Sequence, residues 1–184
     1  MKITVVDEHY SIVHFDNTRE CYDLVREQAQ LYMKLYGSTD QHLENYQFNS
    51  DIEYYLGPML KNNKFLGYTI IYQDSQPMAF GGIRSYNSQT TIVASRTFCF
   101  PTPKLLISKI MIPYHLQCSK SLGYTKSITT FNKHNYKIYK NWPIINLKKS
   151  PVDGHVFEVD VSKFNLLGLD IVNNVEQWVI GWDL

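Results

Sequence analysis

Acidic residues are missing from a long central stretch of this chain. Residues 75–152 contain no Asp or Glu, although they hold Arg84, Arg96 and nine lysines, so all 17 acidic residues lie outside them. A surface of one charge sign concentrates ligands of the opposite sign. The middle of the chain therefore predicts an anionic partner, although lysines that merely solvate exposed faces would leave the same pattern.

Cysteine and the common chemical motifs are also scarce or absent. Cys21, Cys99 and Cys118 are far apart and odd in number, which argues against a disulfide framework and for a reducing, cytoplasmic location. No Cys-x-x-Cys, Gly-x-Ser-x-Gly, Walker loop or His-Glu-x-x-His occurs, and no metal ligands cluster. No apolar run is long enough for a signal peptide or a membrane span. These absences predict a soluble, intracellular protein without a metal site or a membrane partner.

The sequence predicts one domain over residues 1–184. Its length is sufficient for a full hydrophobic core, and it contains no internal repeat and no linker. Helical spacing predicts a helix from a capping box at Asn17 and Glu20 to a C-terminal cap at Gly37. One or two short helices are expected within 38–64. Alternating runs between turn residues predict strands at 1–15, 65–73, 78–86, 90–100, 126–131, 155–161 and 177–184.

A strand, a helix and a strand follow one another after residue 90. Further helices are predicted at 104–122 and 135–142. Pro113 should kink or restart the first of them, and Gly81 and Gly82 inside a strand indicate a bulge or a close approach of another backbone. We therefore predict a mixed α/β (α+β) fold: a largely antiparallel central sheet, flanked by helices, with one parallel strand–helix–strand crossover.

The start of the crossover helix and the segment after its strand carry the candidate site. Unsatisfied N–H groups at a helix N-terminus favour an anion, and this helix is predicted to open on a basic turn. The turn consists of Lys104, Leu105, Leu106, Ile107, Ser108 and Lys109. The later segment runs from Asn132 through Asn135 to Tyr139.

This order of elements and residues resembles the GNAT superfamily of acyl-CoA N-acyltransferases. In that family the turn carries Arg/Gln-x-x-Gly-x-Gly/Ala, and its backbone holds the coenzyme A pyrophosphate. Here Lys104 stands at the Arg/Gln position, Ile107 replaces the first glycine and Lys109 replaces the small residue. The resemblance implies that Asn132 and Asn135 contact the pantetheine arm and that Tyr139 protonates the leaving thiolate.

The resemblance also implies an activity and its partners. Backbone groups of Phe98, Cys99 and Phe100 would dock the pantetheine amide by strand-like pairing. The expected reaction moves an acyl group, acetyl in the first instance, from acyl-CoA to a primary amine. The acceptor would be a small-molecule amine, a peptide N-terminus or a lysine, and the acyltransferase could be a homodimer.

The base that would deprotonate the amine is an open question. Many relatives carry a Glu on or beside the long strand, whereas this strand reads Ser95, Arg96, Thr97, Phe98. Alternatives are an amine that arrives deprotonated, or one of Glu44, Asp51, Glu53, His115, His134, Glu158 and Asp160. We expect His115 to be a surface or boundary histidine and Cys99 to be a buried residue instead of a nucleophile. Arg96 would bind a substrate carboxylate or phosphate, or form a structural ion pair.

Two other functions remain open at this point. The altered turn is compatible with a GNAT-like protein that has lost catalysis and binds a ligand or partner. Lysines interleaved with aromatic residues can also track phosphates and stack bases, although no nucleic-acid-binding signature accompanies them. The residues in question are Tyr124, Lys126, Phe131, Lys133, Tyr136, Lys137, Lys140, Trp142, Lys148 and Lys149.

Overall fold

Eight strands form one sheet in the computed structural model, which describes residues 1–36, 56–61, 64–102, 106–132, 165–172 and 175–184. The strands are β1 (Lys2–Val5), β2 (Tyr10–Phe15), β3 (Phe65–Gln73), β4 (Gln76–Ser85), β5 (Thr90–Cys99), β6 (Lys126–Asn132), β7 (Asn165–Val172) and β8 (Val175–Asp183). Their order across the sheet is β1-β2-β3-β4-β5-β6-β8-β7. Only β5 and β6 run parallel; the other neighbours are antiparallel. The predicted mixed sheet with one parallel crossover is confirmed.

Three α-helices lie within the described residues: α1 (Tyr22–Tyr36), α2 (Pro58–Lys61) and α3 (Ile112–Ser121). The Asn17 side chain caps a 3-10 turn at Thr18–Glu20, accepting the Arg19 amide at 3.1 Å, and α1 starts after that turn. The predicted cap at Gly37 and the predicted elements at 135–142 and 155–161 lie outside the described residues. Within those residues no helix is long and apolar enough to cross a membrane.

The N-terminal segment forms a hairpin of two strands, where the sequence had predicted a single edge strand. The Asp7 carboxylate shapes the connection by accepting the backbone amides of His9 and Tyr10 at 2.9 and 2.8 Å. Such a side-chain cap of a tight turn is a frequent role of aspartate. Strand β7 was not predicted either, although β8 lies close to its predicted position.

Strands β3, β4 and β5 form the predicted meander. The connection from β3 to β4 is a tight turn in which Asp74 and Ser75 both have positive φ, 48° and 69°. Two successive positive φ values characterise the type I′ turn, whose twist matches that of a β-hairpin. The turn fixes the register that pairs Gln73 with Gln76.

The two faces of the sheet are covered by different helices. Adjacent β3 residues Ile70 and Ile71 lie in different core clusters, because side chains alternate between the faces of a strand. The cluster under α1 contains Phe15, Val25, Ala29, Tyr32, Tyr68, Ile70, Phe80, Phe98 and Phe100. The clusters under α3 contain Ile12, Ile71, Ala79, Val93, Leu106, Ile110, Met111, Ile112, Tyr114, Leu116, Ile180 and Trp182.

The crossover helix begins with a wide turn. Residues Ile107–Met111 form one turn of π-helix, in which the Ile112 amide donates to the Ile107 carbonyl, and α3 continues from it. Pro113 follows directly, and its missing N–H cannot donate to the carbonyl four residues earlier. The predicted restart of the helix at Pro113 is thus present as a change from π- to α-helical geometry.

Candidate functional site

Strands β5 and β6 pair for only a short distance and then part. Thr90, Thr91 and Ile92 of β5 pair with residues 126–128 of β6, and there the parallel ladder ends. Strand β6 continues to Asn132 with β8 as its partner, while β5 continues to Cys99 with β4 as its partner. We call the region between residues 93–99 of β5 and residues 129–132 of β6 the slot.

Buried hydroxyl groups hold the closed end of the slot. The Thr91 hydroxyl lies 2.8 Å from the Ser119 hydroxyl of α3 and 2.6 Å from the Ser127 hydroxyl of β6. At the point of separation, the Thr129 hydroxyl donates to the Val93 carbonyl at 3.1 Å. Side-chain hydrogen bonds therefore take over where the backbone ladder between the two strands stops.

Strand β5 is bulged beside the slot. Its register with β4 shifts on both sides of the Gly82–Ser95 pair. Between the Arg84–Ile92 and Phe80–Phe98 pairs, β5 therefore contains two more residues than β4. Ala94 and Arg96 have positive φ, 52° and 55°, a conformation that costs free energy for any residue with a Cβ. The Arg96 carbonyl accepts the Tyr68 hydroxyl at 2.9 Å.

The bulge that the two glycines of β4 indicated is confirmed by the register shifts around Gly82, whereas the groups that approach the glycines closely are side chains and not another backbone. A Cβ atom on Gly81 would lie 2.5 Å from the Met111 sulfur and 2.5 Å from Thr97 Cγ2. On the other face, a Cβ atom on Gly82 would lie 2.7 Å from the Phe65 ring. The π-helical turn before α3, the bulged strand and the Phe65 ring therefore approach β4 more closely than a larger residue would permit.

Of the three residues predicted to dock pantetheine, only Cys99 directs its backbone groups toward the slot. The Phe100 amide donates to the Met78 carbonyl of β4 at 2.8 Å. Because hydrogen-bonding direction alternates along an antiparallel strand, Phe98 shares the orientation of Phe100, whereas Cys99 has the opposite one. Cys99 lies opposite Ala79 as a non-hydrogen-bonded pair of the antiparallel ladder, so its N–H and C=O lie on the edge away from β4.

The side chains of Phe98 and Phe100 fix this part of β5 to the sheet. Phe98 stacks on Phe80 with ring centroids 4.4 Å apart, and Phe100 meets Tyr32 of α1 edge to face at 5.5 Å. Burial raises the pKa of Cys99 to about 11, so its thiol is protonated at neutral pH. Cys99 is thus a poor nucleophile, as predicted, although its side chain is half-buried and not fully buried as the sequence had led us to expect.

The described part of the predicted pyrophosphate turn is helical. Leu106 already has helical dihedral angles and is buried, Ile107 packs partly buried between the two core clusters under α3, and Lys109 is exposed. Ser108 is half-buried between them. The bulky Ile107 side chain therefore contacts the core, and Lys109 supplies the exposed charge of the described part of this turn.

Several predicted site residues cannot be placed in the same way. Lys104, Leu105, Asn135 and Tyr139 lie outside the described residues. The same is true of six of the candidate bases: Glu44, Asp51, Glu53, His134, Glu158 and Asp160. Asn132 ends β6, where its backbone pairs with Gln177 of β8. Its position on the strand beside the slot agrees with the predicted contact to pantetheine, which stays a prediction.

His115 differs from expectation. The sequence predicted a surface or boundary histidine, which is wrong: the side chain is fully buried between α3 and the sheet. Burial, followed by the charge of His14, lowers the pKa of His115 well below 6.5. Met111 and Ser119, one turn before and one turn after it, are also buried. That i−4, i+4 spacing is the signal that could have revealed its position.

The solved structures with a similar fold include three acetyltransferases. A probable acetyltransferase from Staphylococcus epidermidis superposes with a TM-score of 0.62 at 11% identity, covering 95% of this chain and 98% of that one. The N-acetyltransferase PseH from Campylobacter jejuni, in complex with acetyl coenzyme A, has a TM-score of 0.53 at 12% identity, covering 94% and 98%. The PaiA N-acetyltransferase from Thermoplasma acidophilum, in complex with coenzyme A, has a TM-score of 0.52 at 12% identity, covering 94% and 99%.

These similarities define the fold class. Neither protein-family profiles nor curated protein sequences match the chain, so the likeness is one of structure. The chain has the fold of the GNAT superfamily, and the resemblance inferred from its sequence is confirmed at that level. The separation of β5 from β6, which forms the slot, is the feature of this fold that could accommodate a ligand.

Proposed function

We propose that this chain is an acyl-CoA-dependent N-acyltransferase that transfers an acyl group, acetyl in the first instance, to a primary amine. The observation that carries the proposal is the slot. Along it runs a strand edge at which Cys99 offers backbone N–H and C=O groups, and Lys109 is exposed on the helical turn that contacts β5. A chain of amide groups ending in phosphates matches that combination, because amides pair with a strand edge and anions favour a helix N-terminus. The acetyltransferases that share the fold, two of them bound to coenzyme A or its acetyl thioester, support the same choice of ligand.

The residues of the chain would divide the work as follows. Acyl-CoA supplies an activated thioester, and the chain holds that thioester against the amine so that attack needs little further ordering. Cys99 would pair with the pantetheine amide, with Phe98 and Phe100 fixing the strand around it. Lys104 and Lys109, with the backbone of the residues between them, would hold the pyrophosphate, and Asn132 and Asn135 would contact the pantetheine arm.

Proton transfer would require two groups. As the C–S bond breaks, the Tyr139 hydroxyl would donate its proton to the sulfur, because a phenol with a pKa of about 10 is protonated at neutral pH. The amine must lose a proton when the C–N bond forms. Strand β5 carries no Asp or Glu to accept it, so the base comes from another segment or the amine binds already neutral.

Titration calorimetry of the wild-type chain with acetyl-CoA tests the proposal. We expect binding in the micromolar to millimolar range typical of enzyme substrates, about 1 μM to 1 mM, and competition by free coenzyme A. Absence of both heat and a thermal shift at millimolar ligand would refute it. Binding without turnover on any of a panel of amines would instead identify a GNAT-like protein that has kept its ligand and lost catalysis.

The role of Tyr139 is tested by Tyr139→Phe. If the hydroxyl is the general acid, kcat should fall by about 100-fold or more, because general acid catalysis typically contributes at least that factor. The Kd for acetyl-CoA should change little. Tyr86→Phe, which removes the hydroxyl of an exposed tyrosine in the β4–β5 connection, is the matched control and should leave both quantities unchanged. Equal turnover of Tyr139→Phe and wild type would show that the assignment is wrong.

A further inference from the structure

A continuous set of buried hydrogen bonds crosses the molecule from β2 to the edge of the slot. His14 Nδ1 of β2 lies 2.9 Å from the Thr69 hydroxyl of β3, and His115 Nε2 of α3 lies 2.9 Å from the same hydroxyl. The other nitrogen of His115, Nδ1, accepts the Ala94 amide of β5 at 3.1 Å. Four elements are thus joined through two imidazole rings and one hydroxyl.

The chemistry of the groups fixes the protons on this set. A backbone amide can only donate, so His115 Nδ1 must carry a lone pair and Nε2 must carry the proton. That Nε2–H donates to the Thr69 oxygen, which leaves the Thr69 hydroxyl proton for the lone pair on His14 Nδ1. Both rings are then neutral, and burial lowers the pKa of each, which is in keeping with that state.

This arrangement removes His115 from the set of possible bases. Its only basic lone pair is engaged by the Ala94 amide, and an amide does not pass a proton onward. The ring is also fully buried against the sheet. A catalytic proton from a bound amine therefore has no route to His115. Any role of His115 in the site must come from its hydrogen bond with the Ala94 amide.

The bond falls at the place where the slot begins. Ala94 lies between Ile92 and Ser95, which both pair with β4, and it has the left-handed backbone conformation that starts the bulge. Residue 92 is also the last of β5 to pair with β6. The amide at this point has left the β6 ladder, and His115 supplies the acceptor.

We propose that His115 is a positioning residue for the acyl-CoA slot. By accepting the Ala94 amide, it holds Ala94 in its left-handed conformation and so sets the direction and register of β5 from Ala94 to Cys99. The backbone groups of Cys99 then meet the pantetheine amide in the correct register. This inference rests on the proposed function for its ligand, whereas the His115–Ala94 bond itself can be tested without one.

Two substitutions separate the two bonds of the ring. In His115→Asn, the side-chain carbonyl can occupy the position of Nδ1 and accept the Ala94 amide, while the contact with Thr69 is lost. In His115→Gln, the side-chain amide can reach the position of Nε2 and keep Thr69, while the acceptor for Ala94 is lost. Each variant loses one buried hydrogen bond, so both should melt below the wild type by similar amounts.

Affinity for acetyl-CoA should nevertheless differ between the variants. We expect His115→Gln to raise the Kd about tenfold, the factor that follows from losing one well-placed hydrogen bond, and His115→Asn to stay within about twofold of wild type. Equal Kd values for the two variants would overturn the positioning role. If the wild type itself binds no acetyl-CoA, the proposed function fails, and the bond is judged by amide exchange alone.

Hydrogen exchange measured by NMR provides that independent readout. The wild-type Ala94 amide should exchange slowly, as should that of His115→Asn, whereas that of His115→Gln should exchange faster. The ¹⁵N shifts of wild-type His115 should show a protonated Nε2 and an unprotonated Nδ1. A rapidly exchanging wild-type Ala94 amide, or a proton on Nδ1, contradicts the inference even if neither variant folds.

Discussion

The two halves of β5 are built in different ways. Thr91 and Ile92 have backbone partners in both β4 and β6, and the buried hydroxyls around Thr91 reinforce that ladder. Within the described residues, the span 94–99 pairs with β4, through Ser95, Phe98 and Cys99, and not with β6. It contains two left-handed residues and is held by His115 and by stacked aromatic rings. In the first half, side chains support the backbone ladder between β5 and β6. In the second half, where that ladder has ended, side chains take its place.

The difference shows how a sheet can open without unravelling. A strand that leaves its neighbour exposes amides and carbonyls, and each buried one costs free energy unless it finds a partner. Here the Val93 carbonyl accepts a hydrogen bond from the Thr129 hydroxyl, and the Ala94 amide donates one to His115. The groups farther along, at Cys99, are the ones that we assign to the ligand.

The closed half should respond most strongly to loss of a single oxygen. Thr91→Val removes the hydroxyl that contacts both Ser119 and Ser127 and leaves two buried hydroxyls without that partner. We expect the free energy of unfolding in urea to fall by about 1–3 kcal/mol, the usual cost of unsatisfied buried polar groups. The triple variant Thr91→Val, Ser119→Ala, Ser127→Ala should lose less than the sum of the single changes, because no polar group is then left unpaired. A neutral Thr91→Val would show that the hydroxyls do not hold the strands together.

The histidines behind the open half should make stability depend on pH. Burial lowers the pKa of His14 and His115, so between their folded values and about 6.5 the unfolded chain binds protons that the folded chain does not. Stability is therefore fully present above pH 6.5 and falls as pH drops below it, by up to about 1.4 kcal/mol per pH unit for each ring. Urea denaturation between pH 5.5 and 7.5, above the range in which most carboxylates titrate, measures the slope.

Other charges near these rings set the controls for that measurement. Asp16 acts to raise the pKa of His14, whereas Lys2 and the N-terminus act to lower it, and His14 itself lowers the pKa of His115. The exposed His9 has the opposite shift, because its hydrogen bond with Asp74 raises its pKa, so the slope should be compared in a His9→Gln background. His115→Asn should reduce the slope; an unchanged slope would assign the pH dependence to other groups.

The parts of the fold that could be predicted are those controlled by local sequence. Strand β3 has the bounds that alternation and the Asp74–Ser75 turn had indicated, and β5 ends within one residue of its prediction, because Pro101 cannot continue the ladder. The crossover and its parallel strand followed from a strand, a helix and a strand in succession. The GNAT resemblance rested on that same order of elements.

The construction of the site could not be predicted in the same way. Left-handed residues are usually marked by glycine, but in β5 they are Ala94 and Arg96, so the sequence of β5 itself gave no signal of its bulges; only the two glycines of β4 opposite them did. The burial of His115 depends on a threonine of β3, 46 positions away, and on an amide of β5. Such partners become visible only when the sheet and the crossover helix are assembled.

The smallest expected effect concerns the bulge itself. Ala94 has φ 52°, a conformation that costs about 1–2 kcal/mol for a residue with a Cβ, whereas glycine adopts it freely but loses more entropy on folding, about 0.5–1 kcal/mol. Ala94→Gly should therefore leave stability unchanged or raise it by up to about 1 kcal/mol in urea denaturation, with the amide still bound to His115. The same change at Ala79, a fully buried β4 residue without a positive φ, should instead destabilise the chain, because it removes a packed methyl group and adds entropy to the unfolded state. Equal destabilisation at both positions would mean that Ala94 is not held in a left-handed conformation, and the distinction between the two halves of β5 would lose its structural basis.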